Sequence, residues 1–540
     1  MSSSDRANSA QDAYGVDVEK QVPFESQTAV DESADQTTGV GNNGHGVFGS
    51  GGHGLGHMLT VKDGEVYNPH LEKKARWYQR LVDAGFEDNG IKPVPIENRT
   101  NKQYSNLFTI FFTSMLSLLP LPTGILGTLT FGLSLRDTSL IILFFGLLTI
   151  IPPAFLGVGG SQTGLRQQIQ ARYSFGLYFA IIPLLLNAAT VTGFTLISAV
   201  VGGQTISALN PDKVSVTVGI VIICVVSLLV SMLGYRALHF IERWTWIPNI
   251  IGLLVAIGCG GKYLHLQSET EPATAYNVLS YAGIIAGYFI TFTGTASDYS
   301  TYHDPSVPKW KLFACMYFGI LLPSVPLLIL GAAIGGAVPN VESWNNAYAV
   351  SNIGGVIYEM LTPAKGFGKF LVVLLALSGV GNIAISSYSV SLNLQMIFPF
   401  FARIHRVFFV FVTLAIMIPF AIKAAEQWEE SLTNFLAIIG YWAGCFAAVL
   451  IEELVIFRKM DFSTYDHAIW NVGKKLPPGF AAITASILSF GLVVPGMAEV
   501  WYTGPIAEHT GDIGFEMSFA VTALFYIPLR WLEIKWRGHL

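Results

Sequence analysis

Phe194 and Ser198 stand four residues apart in a long apolar stretch, so on a helix they share one face. An aromatic ring with a hydroxyl one turn away suits a flat, polar ligand: the ring offers a stacking surface and the hydroxyl reads an edge. Asn382 and Ser386 repeat the spacing in a second apolar stretch, now with an amide that both donates and accepts. Tyr288 and Phe289 precede the run Thr291-Phe-Thr-Gly-Thr-Ala296, where Thr291 and Thr293 place hydroxyls beside a glycine. Thr123 sits in a comparable run, Leu119-Pro-Leu-Pro-Thr-Gly-Ile-Leu-Gly127. Plainer readings exist: in a chain that is 13% aromatic a lone Phe usually packs or faces lipid, and a membrane Thr usually bonds its own helix carbonyl. The chemistry these types offer is non-covalent recognition. An intramembrane enzyme would be expected to cluster His, Asp or Cys at metal or nucleophile spacing, and no such cluster stands out, so neither catalysis, a cofactor nor a metal is expected.

The elements that must hold these residues are membrane helices. The chain has 540 residues, 52% hydrophobic and 12% charged, with a mean hydropathy of +0.50; long uncharged runs of this kind are what the hydrocarbon core selects. Net charge is -5 with no basic stripe, which argues against nucleic acid as a partner. The cysteines Cys224, Cys259, Cys315 and Cys445 lie in apolar runs and read as packing residues. About twelve spanning segments are expected, at 106–127, 138–158, 176–202, 214–233, 244–260, 278–297, 312–338, 367–396, 405–423, 432–456, 479–497 and 515–532. Residues 1–97 read as a disordered cytoplasmic tail, poor in apolar residues, and 98–540 as the transporter domain. Within the tail, His45, His53 and His57 occupy a Gly-rich tract that reads as low complexity before it reads as a metal site, and 71–81 could form a surface helix.

Even-numbered loops carry twelve Lys and Arg, from Arg166 to Lys475, against six in the odd loops, which places both termini in the cytoplasm. A plasma-membrane, multi-pass location follows as the expectation. The runs at Leu119–Gly127 and Thr291–Ala296 break segments 1 and 6, where freed backbone in lipid needs a reason. Breaks five segments apart fit an inverted repeat of segments 1–5 and 6–10 with 11 and 12 appended, the site lying between the breaks. Simple kinking is the plainer alternative.

Four stretches stand out together: Ala296-Ser-Asp-Tyr-Ser-Thr-Tyr302, the loop Gly164-Leu-Arg-Gln-Gln-Ile-Gln-Ala-Arg-Tyr-Ser-Phe-Gly176, Gly193-Phe194 with Ser198 and Gly202-Gly-Gln204, and Asn382 to Gln395. In order and spacing they resemble the purine–cytosine permeases of the nucleobase–cation symporter-1 family. The resemblance implies an all-α, LeuT-like fold of five plus five helices and two more, with helices 1 and 6 discontinuous. It implies a symporter that imports a nucleobase-like heterocycle such as cytosine or a purine, held between a segment 3 aromatic, Phe194, and a segment 6 aromatic. Phe289 is favoured for the second ring by its distance from Asp298, with Tyr288 the alternative one residue away. Ser198, Asn382 and Ser386 would read the ring's edge, with Thr123 and Thr291 beside the breaks. Relatives often carry Trp for Phe194, Asn for Ser198 and Ser386, and hydroxyls for Pro120 and Pro122. These departures make pyridoxine the rival substrate. A nutrient receptor that does not transport is a further alternative. Sodium-coupled relatives place hydroxyls near Val380-Gly381, so protons are expected here. Asp298 is the candidate proton carrier, although Asp298, Glu452 and Glu453 would serve equally as structural locks.

Overall fold

The computed structural model describes residues 91–232, 235–397 and 406–540; the His-containing tract and the 71–81 helix lie outside the described residues. Nine described helices are long and apolar enough to cross a membrane, or ten if the bent pair of segment 1 counts as one span. Two shorter apolar helices, Val216–Ser231 and Phe480–Gly496, occupy the places of segments 4 and 11. The protein is a helical, multi-pass membrane protein.

Segment 1 runs as Ser105–Met115 and then Pro120–Thr130, bent by 64°. Pro120 opens the second half, where the first backbone N–H groups have no helical partner anyway, so the prolines cost no internal hydrogen bond. The freed groups between the halves find side chains. Asn249 Nδ2 donates to the Leu116 carbonyl at 2.9 Å, and the Leu118 N–H donates to Ser378 Oγ at 3.4 Å. Pro248-Asn249, which dilutes the apolar start of segment 5, therefore supplies a buried partner for segment 1, inside a helix that runs Tyr235–Gly260.

Segment 6 is helical over Ala275–Ile290 and continues as two 3-10 turns, Thr291–Gly294 and Ala296–Tyr299. The loop after segment 2 clamps this break. Gln168 Nε2 donates to the Gly294 carbonyl at 2.9 Å, and the Ser297 N–H donates to Gln167 Oε1 at 3.1 Å. Segment 2 itself ends at Gly164, whose φ of +67° suits a left-handed helix stop.

Two features differ from the sequence expectation. Between segments 7 and 8 lies an additional helix, Glu342–Leu361, kinked at Ser351 and Asn352. Segment 8 is also interrupted: Lys365–Ala376 passes through a 3-10 turn, Leu377–Gly379, into Val380–Ile397.

Candidate functional site

Segments 1, 3, 6 and 8 converge on one cavity. Both expected breaks reach it: Ser114, Met115 and Leu119 from segment 1, and Tyr288, Thr291, Phe292, Thr295 and Tyr299 from segment 6. Segment 3 contributes Thr190, Val191 and Phe194; segment 8 contributes Asn382, Ser386 and Ser389. Among the described residues the lining holds four aromatic rings, six hydroxyls of Ser and Thr and one amide, and no Asp, Glu, Lys or Arg. An apolar wall with a few polar groups suits a small organic molecule. The absence of charge on the wall suits a neutral one, since an ionised ligand would lose its hydration without a counter-charge.

Of the residues singled out in the sequence, Phe194, Tyr288, Thr291, Asn382 and Ser386 line this cavity. Phe289 does not. Its ring is fully buried and lies against Gly146. Tyr288 takes the place instead, the alternative one residue away. The Phe194 and Tyr288 rings lie 6.0 Å apart at 85°, edge to face, so they do not form the parallel sandwich the resemblance implies.

Thr123 and Ser198 also fall elsewhere. Thr123 is buried in the second half of segment 1, its carbonyl accepting from Tyr281 Oη at 3.2 Å. Ser198 lines a smaller, adjacent cavity of about 200 Å³ with Ser117, Ser378 and Gly379, between the breaks of segments 1 and 8. It remains connected to the main cavity. Ser198 Oγ donates to the Phe194 carbonyl at 3.0 Å, Asn382 Nδ2 donates to Ser198 Oγ at 3.5 Å, and Ser386 Oγ donates to Asn382 Oδ1 at 3.4 Å. Thr291 bonds its own helix, to the Gly287 carbonyl at 3.1 Å, as membrane threonines commonly do.

Phe292, Tyr299 and Thr190 are cavity residues that the spacing argument passed over. Thr190 was within reach of it, standing one turn before Phe194 on the same face. Segment 10 backs this wall: Trp442 Nε1 donates to Thr190 Oγ1 at 2.9 Å, and Phe435 packs edge-on to Phe194 at 5.5 Å.

Asp298 lies at the end of segment 6. Its Oδ1 accepts the Gln167 N–H at 2.7 Å, and its Oδ2 stands 3.8 Å from Arg166 Nη1. Glu453 is fully buried between Arg458 and Arg530, each at 2.9 Å, which gives it the lock role.

Comparison with known proteins agrees with this architecture. FcyB, a purine–cytosine permease of Emericella nidulans, is 32% identical over 481 residues, covering 88% of this chain and 94% of its own. The vitamin B6 transporter TPN1 of Saccharomyces cerevisiae is 29% identical, covering 86% of this chain and 90% of its own. The solved structure of Mhp1, a nucleobase-cation-symport-1 family transporter in a closed conformation with bromovinylhydantoin bound, matches in fold. Its TM-score is 0.64 at 15% identity, over 83% of this chain and 96% of that one. Residues 93–469 match the family described as "Permease for cytosine/purines, uracil, thiamine, allantoin", and the chain belongs to that family.

Proposed function

We propose that this protein is a secondary active symporter of the plasma membrane. In this reading it imports a neutral, nucleobase-like heterocycle, cytosine or a purine, together with protons by alternating access. The observation that carries the reading is the uncharged cavity where both broken helices meet segments 3 and 8, walled by Phe194, Tyr288, Phe292 and Tyr299. Stacking on such rings accepts any flat π-face, and Asn382 and Ser386 discriminate between ring edges, because an unmatched buried polar group is costly. Thr291 and Ser198 support the edge-reading groups, and Thr123 shapes segment 1 behind the cavity. The relatives described as purine–cytosine permeases support this substrate class.

Pyridoxine is the second reading. The polar wall is mostly hydroxyl, with Asn382 its one amide, and a vitamin B6 transporter is among the relatives. Uptake of radiolabelled cytosine in transporter-deficient cells, with unlabelled adenine and pyridoxine as competitors, separates the two. Competition by adenine alone supports the first; competition by pyridoxine alone overturns it.

The proton is assigned to Asp298, which stands between the cavity and the cytoplasmic face in the proposed topology. Protonation would weaken its hold on Gln167 and Arg166 and so release the loop that clamps the segment 6 break. The hydroxyls of Ser117, Ser198 and Ser378 around the smaller cavity make sodium the competing ion. Accumulation that survives a protonophore but fails when external sodium is replaced by choline would reject proton coupling. Binding without accumulation would identify a receptor.

A further inference from the structure

Two buried carboxylates at the end of the bundle opposite the C-terminus share one tyrosine. Tyr441 Oη, on segment 10, lies 3.1 Å from Glu499 Oε1 and in a short hydrogen bond with Asp512 Oδ2. Glu499 and Asp512 are each only 4% exposed. They flank the turn between segments 11 and 12, where Ala498-Glu499 pairs with Tyr502-Thr503 in a two-residue antiparallel ladder.

The hydrogen-bond inventory decides the protonation state. A tyrosine hydroxyl has one proton to give, and an ionised carboxylate only accepts. Asp512 is furnished as an anion: Oδ1 accepts the Gly514 N–H at 2.8 Å, and Oδ2 accepts the Ala498 N–H at 3.0 Å together with the Tyr441 hydroxyl. Glu499 has no such set. Its Oε2 is buried without any hydrogen-bond partner, and its Oε1 meets only Tyr441, whose proton Asp512 already takes. Were Glu499 ionised, two anions would face one donor and an oxygen would be buried bare. As a neutral acid, Glu499 donates from Oε1 to the lone pair of Tyr441, completing the chain Glu499 to Tyr441 to Asp512.

We infer that Glu499 is a proton-binding site, its bound proton fastening the segment 11–12 turn to segment 10 through Tyr441. Among the described residues the surrounding elements offer no Lys or Arg to replace it. Segment 10 presents Tyr441, segment 12 presents Glu516, and the short helix Ala507–Thr510 carries Glu508 and His509. The turn approaches segment 6 at Tyr276, whose carbonyl lies against Gly511, and the Asp512 N–H donates to Ser280 Oγ at 2.9 Å. Residues 497–516 contain no Lys or Arg, and among the described residues no His, Cys, Asp or Glu group is arranged to hold a metal ion. Burial, and after it the Asp512 charge, push the Glu499 carboxyl up to about 8. Under the proposed topology the site faces the external medium. Tyr441 neighbours Trp442 on segment 10, the residue that bonds Thr190 of the cavity wall.

Infrared difference spectroscopy of the full-length protein in phospholipid vesicles, titrated across external pH, tests the site without any substrate. A protonated-carboxyl band should disappear near pH 8, be missing in Glu499→Gln, and persist in the exposed control Glu508→Gln. In Asp512→Asn the midpoint should fall by about one pH unit, since the neighbouring negative charge is gone. A band titrating near pH 8 that survives in Glu499→Gln, or a midpoint that stays or rises in Asp512→Asn, overturns the assignment. If Glu499→Gln does not fold, the Asp512→Asn shift decides. A uptake arm rests on the symporter reading: apparent KM should rise above external pH 8 in the wild type and be flat in Glu499→Gln. A spectroscopic shift without transport would fault the symporter reading and leave the proton site intact.

Discussion

Segments 10 to 12 carry buried charge at both ends, and the two ends neutralise it differently. At the end near the C-terminus, Glu453 accepts from Arg530 Nε and Nη2, both at 2.9 Å, from Arg458 Nε at 3.0 Å and from Tyr526 Oη at 2.8 Å. Glu533 lies 3.7 Å from Arg530 and caps the start of segment 11, accepting the Gly479 and Ala481 N–H groups, each at 3.0 Å. Two arginines face two glutamates there. At the opposite end Glu499 and Asp512 meet only a tyrosine and backbone donors, and Glu516 has no hydrogen-bond partner among the described residues. A guanidinium stays charged at any physiological pH, so the first cluster is a fixed fastening. The second depends on a proton, which the medium can withdraw.

The largest expected effect breaks the fixed cluster. Arg530→Met leaves Glu453 buried with one cation in place of two and should cost about 3–5 kcal/mol of stability, the usual loss when half of a buried ion pair is removed. Thermal unfolding of the purified protein in detergent measures it. A melting temperature close to the wild type would mean that the cluster fastens nothing.

Between the two clusters lies the uncharged cavity, and its mutations should separate binding from folding. Phe194→Ala should weaken substrate binding by about 1–3 kcal/mol through lost stacking, with a much smaller change in melting temperature than Arg530→Met. Unchanged apparent affinity in that variant would remove Phe194 from the site.

The third effect sharpens the contrast through pH. Glu499 keeps its proton in the folded state up to about 8, whereas the unfolded chain releases it in the ordinary glutamate range. The folded state thus binds more protons within that window. Its stability is full below the ordinary glutamate value and declines as pH rises toward 8. About 1–2 kcal/mol should be lost, because local opening of the turn caps the penalty. Melting temperatures of wild type and Glu499→Gln measured across this range check it; parallel curves would leave the pH response to another group.

The same contrast explains what could be read from residues alone. The breaks of segments 1 and 6 were legible because Pro and Gly in a membrane helix free backbone groups that lipid cannot satisfy. Phe194, Asn382 and Ser386 were legible because four-residue spacing survives in regular helix, and all three line the cavity. The segment 8 interruption at Leu377–Gly379 has no proline to announce it. The helix Glu342–Leu361 buries Trp344, Ile353, Val356, Ile357 and Met360 but is punctuated by Glu342, Asn345, Asn346 and Asn352, so no uninterrupted apolar run marks it. Glu453 was legible only as one of three carboxylates that loop arginines could lock; Arg458 stands five residues away, and Arg530 is brought to it by the fold. The Glu499 arrangement was not, since Tyr441 and Asp512 are brought to it only by the fold.

The smallest effect belongs to the hydroxyls. Ser198 Oγ donates to the Phe194 carbonyl and receives from Asn382 only at 3.5 Å, the weak end of hydrogen-bond geometry. Ser198→Ala should therefore change substrate affinity by less than about 1 kcal/mol, against the larger loss at Phe194. Restoring the amide that relatives carry is the more informative substitution. In Ser198→Asn the longer side chain can reach past Gly379 toward Asn382 and add a second amide to a wall that has one. A ligand read by paired donors and acceptors gains from that change, and a ligand read mainly by hydroxyls loses. Competition assays on Ser198→Asn with cytosine and pyridoxine should thus move in opposite directions; movement in the same direction would mean that Ser198 shapes the wall without reading the ring.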